Sequence, residues 1–216
     1  MALFGTFRDI APDEVLGLVE HKEGVLEIGN DVKIFIKNGY IAGMEFRGQK
    51  MGDKTRYMAV LVNLLEDQVS PFRFYRGRVE EVGEKIPISL LLLESAAKRD
   101  EVNRYSLDSV DERAVFVLDE ESRNRLSRLM RASGNGNSDL IEFIKEAYFI
   151  LKEGATPVEI SRKLNLPLEW TKYVLYRLRV LRIVRVRRRK ADRGIIEKVR
   201  GLYRKITFLL RRSSIK

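Results

Sequence analysis

The sequence contains no cysteine, a single histidine and no long hydrophobic run. Without cysteine, the chain cannot form a disulfide framework, a thiolate metal site or a cysteine nucleophile, which is typical of a reducing compartment. Apolar runs such as Leu90–Leu93 fall far short of the roughly 20 residues that span a bilayer. The first ten residues include Arg8 and Asp9 and no apolar leader core. We therefore expect a cytoplasmic protein with no integral membrane segment.

Catalytic motifs are missing as well. His21 has no second histidine or metal-spaced carboxylates near it, so we interpret it as a surface residue. Acidic pairs such as Glu80-Glu81 lie in polar stretches, where solvated loops or helix starts are expected. Glycine-rich phosphate loops of the Walker or dinucleotide type do not occur. We predict that the chain is not an enzyme and that it binds no metal or cofactor.

Positive charge is concentrated at one end of the 216-residue chain. Residues 1–160 contain 22 basic and 28 acidic side chains, whereas residues 161–216 contain 19 basic and 3 acidic ones. A segment this basic attracts polyanions, because each neutralised phosphate releases condensed counterions. Double-stranded DNA is the expected partner, and an anionic membrane surface ranks second. The alternative is a basic surface that only keeps the protein in solution.

Hydrophobic periodicity predicts a helix, an antiparallel meander and further mixed elements in the first part of the chain. Asn38-Gly39 is a typical hairpin turn inside that meander. The predicted elements are helix 11–22, strands 24–28, 32–36 and 40–46, helix 53–67, strand 71–79, helix 88–105, a strand-prone run at 114–118 and a polar helix at 119–131.

The segment Ser133–Ser138 has the composition of a flexible linker between two periodic regions. At about 100–150 residues per domain, the length allows one large domain or two small ones. We predict an α+β interaction domain at 1–132, a linker at 133–138 and a basic domain at 139–216.

Three helices are predicted after the linker. Helix 139–152 is amphipathic, and Thr156-Pro157-Val158-Glu159 is a capping box that begins a second helix. A third helix follows at 168–181, with Thr171, Leu175 and Leu178 on its inward side, and an alternating strand follows at 183–187. Two short helices separated by a three- to four-residue turn have the spacing of a helix-turn-helix motif.

The ordered set of cap, turn, leucine stripe and strand in residues 139–190 resembles a winged-helix domain. Arg182 stands where that family usually has glycine, and a second wing strand after Lys190 is not evident. If this geometry holds, the third helix presents side chains to the major groove and the following strand presents arginines to phosphates. The predicted DNA-binding residues are Arg162, Lys163, Trp170, Lys172, Tyr173, Tyr176, Arg177, Arg182, Arg185, Arg187, Arg188, Arg189 and Lys190.

Arg177 is the best candidate for direct readout, because an arginine can fork to the O6 and N7 atoms of guanine. For Trp170, Tyr173 and Tyr176, the alternative is packing against the wing or the other domain. For the basic run 185–190, the alternative is a solvated strand. Residues 194–212 form a basic amphipathic helix in the sequence pattern, and we favour docking or dimerisation over membrane binding for it.

The first part of the chain also resembles a known family. Gly24-Val25-Leu26-Glu27-Ile28, the strand ending in Gly39-Tyr40-Ile41, Pro71-Phe72-Arg73-Phe74 and the Leu-rich helix ending in Asp100-Glu101 resemble the PATAN domain over residues 3–105. The departures are Met44, where that family commonly has alanine, and the lack of a tryptophan before the aromatic strand. The resemblance implies a bacterial signalling or regulatory module that binds proteins and does not catalyse a reaction.

Together these patterns predict an α+β protein with an N-terminal antiparallel sheet and flanking helices, a C-terminal winged helix and a terminal amphipathic helix. The predicted function is a DNA-binding regulator whose N-terminal domain binds a protein partner or forms a homodimer. The alternative is a non-catalytic signalling adaptor whose winged helix and basic tail bind protein or an anionic membrane surface.

Overall fold

The computed structural model describes residues 3–106, 110–131 and 137–187. Its contacts divide the chain into Met1–Arg185 and Val186–Lys216, so the predicted linker at 133–138 lies within the first compact unit. The predicted terminal helix at 194–212 and most of that linker lie outside the described residues.

In the described residues the chain folds into a mixed α+β structure with antiparallel pairing, as its hydrophobic periods predict. The helices are α1 (Pro12–Val19), α2 (Lys54–Leu64), α3 (Ile88–Ser106), α4 (Arg123–Arg131), α5 (Ser138–Glu153), α6 (Pro157–Leu164) and α7 (Leu168–Val180). The strands are β1 (Leu3–Thr6), β2 (Glu23–Ile28), β3 (Val32–Lys37), β4 (Tyr40–Phe46), β5 (Gln49–Met51), β6 (Pro71–Arg76), β7 (Ile86–Pro87), β8 (Val115–Leu118) and β9 (Val184–Arg187).

Seven strands form one antiparallel sheet in the order β1-β6-β2-β3-β4-β5, with β7 paired to β4. The predicted meander of β2, β3 and β4 is confirmed, and its second turn places Asn38 and Gly39 at φ 49° and 90°. Both values lie in the left-handed region, which asparagine and glycine tolerate better than other residues. The predicted fourth strand, β6, inserts between β1 and β2.

The main core lies between one face of this sheet and the helices α1, α2 and α3. Alternate strand residues such as Leu26, Ile34 and Phe74 are buried there against Leu16 of α1 and Leu61 of α2. Residues two apart along a strand share a face, so the alternating pattern in the sequence selects this buried side. The predicted helices at 11–22, 53–67 and 88–105 correspond to α1, α2 and α3.

Helix α3 contacts α1 and α2 along the sheet core and also packs against α7. A bidentate ion pair adds a second connection, because Arg56 Nη2 of α2 lies 2.8 and 2.9 Å from the Glu146 carboxylate oxygens of α5. The helices after residue 137 therefore pack directly on the helices that cover the sheet.

Candidate nucleic-acid interface

The hairpin of α6 and α7 is built by the local signals that the sequence predicts. The Glu159 amide donates to Thr156 Oγ1 at 3.3 Å, and the Thr156 amide donates to Glu159 Oε2 at 2.7 Å, which confirms the capping box. Asn165 ends α6 in the left-handed conformation at φ 50°. Ser161 Oγ then donates to the Leu166 carbonyl at 2.7 Å. The turn into α7 is thus fixed by side chains of the hairpin itself.

The end of the hairpin also contacts the sheet. Asn165 Nδ2 donates to the carbonyl of Phe46, at the end of β4, at 2.8 Å. This bond joins residues 119 positions apart. It sets the position of the α6–α7 turn relative to the sheet, which local signals cannot do.

Helix α7 is buried on two sides. Thr171, Leu175 and Leu178 are fully buried, as the predicted inward stripe requires. On the opposite side, Trp170 and Tyr173 are only 2% and 3% exposed. We call this second side the covered face of α7, and it consists of Trp170, Lys172, Tyr173, Tyr176 and Arg177.

Aromatic contacts join the covered face to α3. The ring of Tyr105 in α3 lies 6.0 Å from that of Tyr173 and 5.1 Å from that of Tyr176, measured between centroids. The Trp170 ring lies 5.5 Å from that of Tyr173 and borders a cavity of about 270 Å³ that Arg56 of α2 also lines. Helices α2 and α3 therefore occupy the space that a DNA groove would need next to α7.

A buried charge cluster lies in the centre of this contact. Lys98 Nζ of α3 is 2.9 Å from Glu101 Oε2 and 3.2 Å from Asp139 Oδ2 of α5. Arg177 Nη1 of α7 is 3.4 Å from the same Asp139 oxygen and donates to Tyr173 Oη at 3.0 Å. Two cations and two carboxylates thus balance in a partly buried site, in which Asp139 is only 3% exposed.

The cluster shifts the pKa values of Lys98, Glu101 and Tyr173. Burial alone would lower the pKa of Lys98, but its hydrogen bond to Tyr173 and the Asp139 charge outweigh burial and raise that pKa. Burial would raise the pKa of Glu101, but its bonds to Lys98 and Tyr173 and the nearby positive charges lower it. Burial raises the pKa of Tyr173 to about 12. Lys98 and Glu101 are therefore charged near neutral pH, and the Tyr173 phenol beside them is neutral.

The arginines in the last turn of α7 and just after it have a different environment. Arg179, Arg182 and Arg185 are exposed, and we call them the arginine turn. Arg182 has a φ of 54°, a left-handed conformation that glycine adopts more readily than other residues. Arg125 of α4 donates to the Arg182 carbonyl at 3.0 Å, which connects α4 to this turn.

A small second sheet supports the arginine turn. The Phe116 amide of β8 donates to the Ala155 carbonyl at 2.8 Å, and the Ala155 amide donates back to Phe116 at 3.1 Å. Strand β8 also pairs with β9, which follows α7. The described partner of β9 thus comes from residues that precede α5.

The structure places the predicted site residues in three groups. Arg162, Lys163, Arg182, Arg185 and Arg187 are exposed. Trp170 and Tyr173 are buried, so the expectation that they are exposed is wrong, and packing against the helices of the first region, the alternative, is what the structure shows. Lys172, Tyr176 and Arg177 are half-buried, while Arg188, Arg189 and Lys190 lie outside the described residues.

Ion pairs occupy both cations of the covered face. Lys172 Nζ is 2.7 Å from Glu112 Oε1 and 2.8 Å from Glu169 Oε1, while Arg177 pairs with Asp139 and Glu101. Arg177, the residue predicted to read guanine, is thus engaged within the protein.

Sequence reasoning did not include Lys98 or Arg179 in a site. Lys98 lies in the charged end of a Leu-rich helix, and nothing in its neighbours indicates a partner 41 residues away at Asp139. Arg179 could have been found, because it begins a run of arginines spaced three residues apart, Arg179, Arg182 and Arg185.

Within the described ranges, no group of three or more histidine, aspartate or glutamate side chains could hold a metal ion. No helix in the same ranges is both long and apolar enough to cross a membrane. Comparison with protein-family models, with curated proteins and with solved structures gave no match.

Proposed function

We propose that the protein is a regulator that binds double-stranded DNA through phosphate contacts from the arginine turn and the basic residues around it. The exposed position of Arg179, Arg182 and Arg185 carries this proposal. Arginine side chains exposed at a helix end bind phosphate oxygens well, since each guanidinium presents a fork of donors.

The distribution of charge supports the same surface. Residues 161–216 contain 19 of the 41 basic side chains and 3 of the 31 acidic ones. Arg162 and Lys163 in the last turn of α6 are exposed as well. A surface of this kind binds the DNA backbone with little dependence on base sequence.

The order of elements supports a winged-helix assignment for residues 139–190. A capped second helix, a short turn, a third helix and a strand follow one another, and Arg182 has a glycine-like conformation between the last two. The PATAN resemblance adds the proposal that the first region, residues 3–105, binds a protein partner or forms a homodimer.

One observation favours the adaptor as a second candidate. The covered face of α7, which would enter the groove in a winged helix, is packed against α3. A protein whose α7 never leaves this position would use its basic surface for an acidic protein partner instead.

Fluorescence anisotropy with a labelled random-sequence duplex tests DNA binding in the full chain. The double variant Arg179→Gln/Arg182→Gln should lower affinity about tenfold and reduce the slope of log K against log salt by about 2, near 0.9 per lost phosphate contact. The matched control, Arg76→Gln/Arg78→Gln, removes the same charge from exposed sites in the first region.

Equal loss of affinity in both double variants would show that net charge, not the arginine turn, causes binding. If the wild-type chain does not bind duplex at low salt, the DNA-binding proposal is wrong and the adaptor is the better explanation.

A further inference from the structure

The two sides of α7 differ in chemistry although both are covered. The inward stripe is formed by Thr171, Leu175 and Leu178, as in an ordinary helical core. The covered face instead consists of one tryptophan, two tyrosines, a lysine and an arginine. Aromatic and arginine side chains are enriched at binding surfaces and stack on or donate to nucleic acids.

Carboxylates occupy both cations of the covered face. Glu101 of α3 and Asp139 of α5 flank Arg177, and Glu112, from the segment after α3, pairs with Lys172 at 2.7 Å. Carboxylate oxygens bind arginine and lysine in the same geometry as phosphate oxygens. These carboxylates thus hold the positions that DNA phosphates would take.

The α3 side of the contact is only partly apolar. Lys98 and Glu101 lie in its centre, with Tyr105 at its end. The buried hydroxyl of Ser95, also in α3, has no hydrogen-bond partner among the described residues, which weakens the packed position of this helix. Polar contacts of this type are characteristic of surfaces that separate as well as associate.

We propose that α3 is an autoinhibitory cover on α7, and that its separation exposes Trp170, Tyr173 and Arg177 as a second DNA-contacting surface. This inference rests on the proposed function, because it adds a regulated surface to the arginine turn. In the closed state the covered face makes no phosphate contact, and binding depends on the arginine turn and the exposed basic residues around it. In the open state Lys172 and Arg177 exchange carboxylate partners for phosphates.

Changes at Tyr105 of α3 and Tyr176 of α7 can either weaken the contact between these helices or lock it. Tyr105→Ala removes the α3 ring that packs on Tyr173 and Tyr176 and leaves the charge cluster intact. The double variant Tyr105→Cys/Tyr176→Cys, linked by a short bismaleimide, holds the helices together. Its two thiols are the only ones in the chain, because the natural sequence has no cysteine.

Two measurements are made on the full chain. Acrylamide quenching of the single tryptophan, Trp170, reports opening without DNA, because this residue is buried in the closed state. Anisotropy with random-sequence duplex reports affinity and its salt slope. Tyr75→Ala, at an exposed tyrosine of β6, is the matched control, and far-UV circular dichroism checks that each variant is folded.

We expect Tyr105→Ala to increase quenching, to raise affinity about tenfold and to steepen the salt slope by about 1–2, because Lys172 and Arg177 become available for phosphate. The cross-linked variant should bind more weakly than the same variant capped with N-ethylmaleimide. Tyr75→Ala should match the wild type in both measurements.

The inference is overturned if the wild type binds DNA and Tyr105→Ala increases quenching without binding more tightly. It is also overturned if cross-linking leaves affinity unchanged. If Tyr105→Ala is unfolded, the cross-linked and capped pair decides alone. Failure of every form to bind duplex overturns the proposed function together with the inference.

Discussion

Asp139→Asn is the sharpest test of the charge cluster. Asp139 is only 3% exposed, and one of its oxygens lies 3.2 Å from Lys98 Nζ and 3.4 Å from Arg177 Nη1. The substitution keeps the shape and an acceptor oxygen, but it removes one of the two carboxylate charges that balance the two cations and leaves Glu101 alone with Lys98 and Arg177. Removing one partner of a buried pair is costly because the other charges stay buried without compensation.

We expect the free energy of unfolding to fall by about 3 kcal/mol, the lower end of the 3–5 kcal/mol range for buried pairs. The lower end applies because the side chains of Lys98 and Arg177 are 14% and 20% exposed and regain some hydration. For a chain of this length, the loss corresponds to a decrease in Tm of about 6–12 °C.

Urea unfolding monitored by Trp170 fluorescence measures this change, since that residue is buried when the chain is folded. Glu80→Gln is the control, because the ion pair of Glu80 with Lys50 is exposed and should contribute less than about 0.5 kcal/mol. A loss below about 1 kcal/mol for Asp139→Asn would refute the idea that the cluster holds α3, α5 and α7 together.

Three further outcomes test other parts of the structure. Thr156→Ala should lower stability by about 1 kcal/mol in chemical denaturation, because it removes the capping box at α6; an unchanged midpoint would contradict this. Arg182→Gly should be more stable than Arg182→Ala by up to about 1 kcal/mol, because both variants lack the arginine charge but only glycine adopts a φ of 54° without backbone strain. Equal stability of the two variants would argue against that conformation. Burial raises the pKa of Tyr173 and of Tyr57 to about 12, so their contribution to stability is complete below about pH 10 and is lost as the pH rises through 12. Absorbance titration at 295 nm should therefore show one fewer late-ionising tyrosine in Tyr173→Phe than in the wild type, and an unchanged number would show that Tyr173 is not one of them.

The elements of the fold follow from short-range patterns. Asn38-Gly39 gives the hairpin turn, and Thr156 with Glu159 gives the start of α6, because each interaction involves neighbours within three positions. Strands β1, β5 and β7 were not predicted, since two to four residues are too few to show a period. Their pairing with β6 and β4 is set by the sheet already present.

Which side of α7 is covered could not be predicted from its own sequence. Trp170 and Tyr173 suit both a core and a binding surface, and periodicity identifies only the inward stripe of Leu175 and Leu178. The outcome depends on where α3 lies, and α3 is more than 60 residues earlier in the chain. The same reasoning applies to β8, whose pairing with β9 also joins distant segments.

The sequence by itself determined the α+β class, the antiparallel meander, the capped helical hairpin and the concentration of positive charge after residue 160. These properties depend on composition, on periods of 2 and 3.6 residues and on neighbouring side chains. Only the tertiary structure decided that Arg177 faces Asp139 and Glu101 while Arg179 and Arg182 remain exposed. The reason is physical: a side chain is neutralised or exposed according to what packs beside it, and distant segments of the chain supply those neighbours.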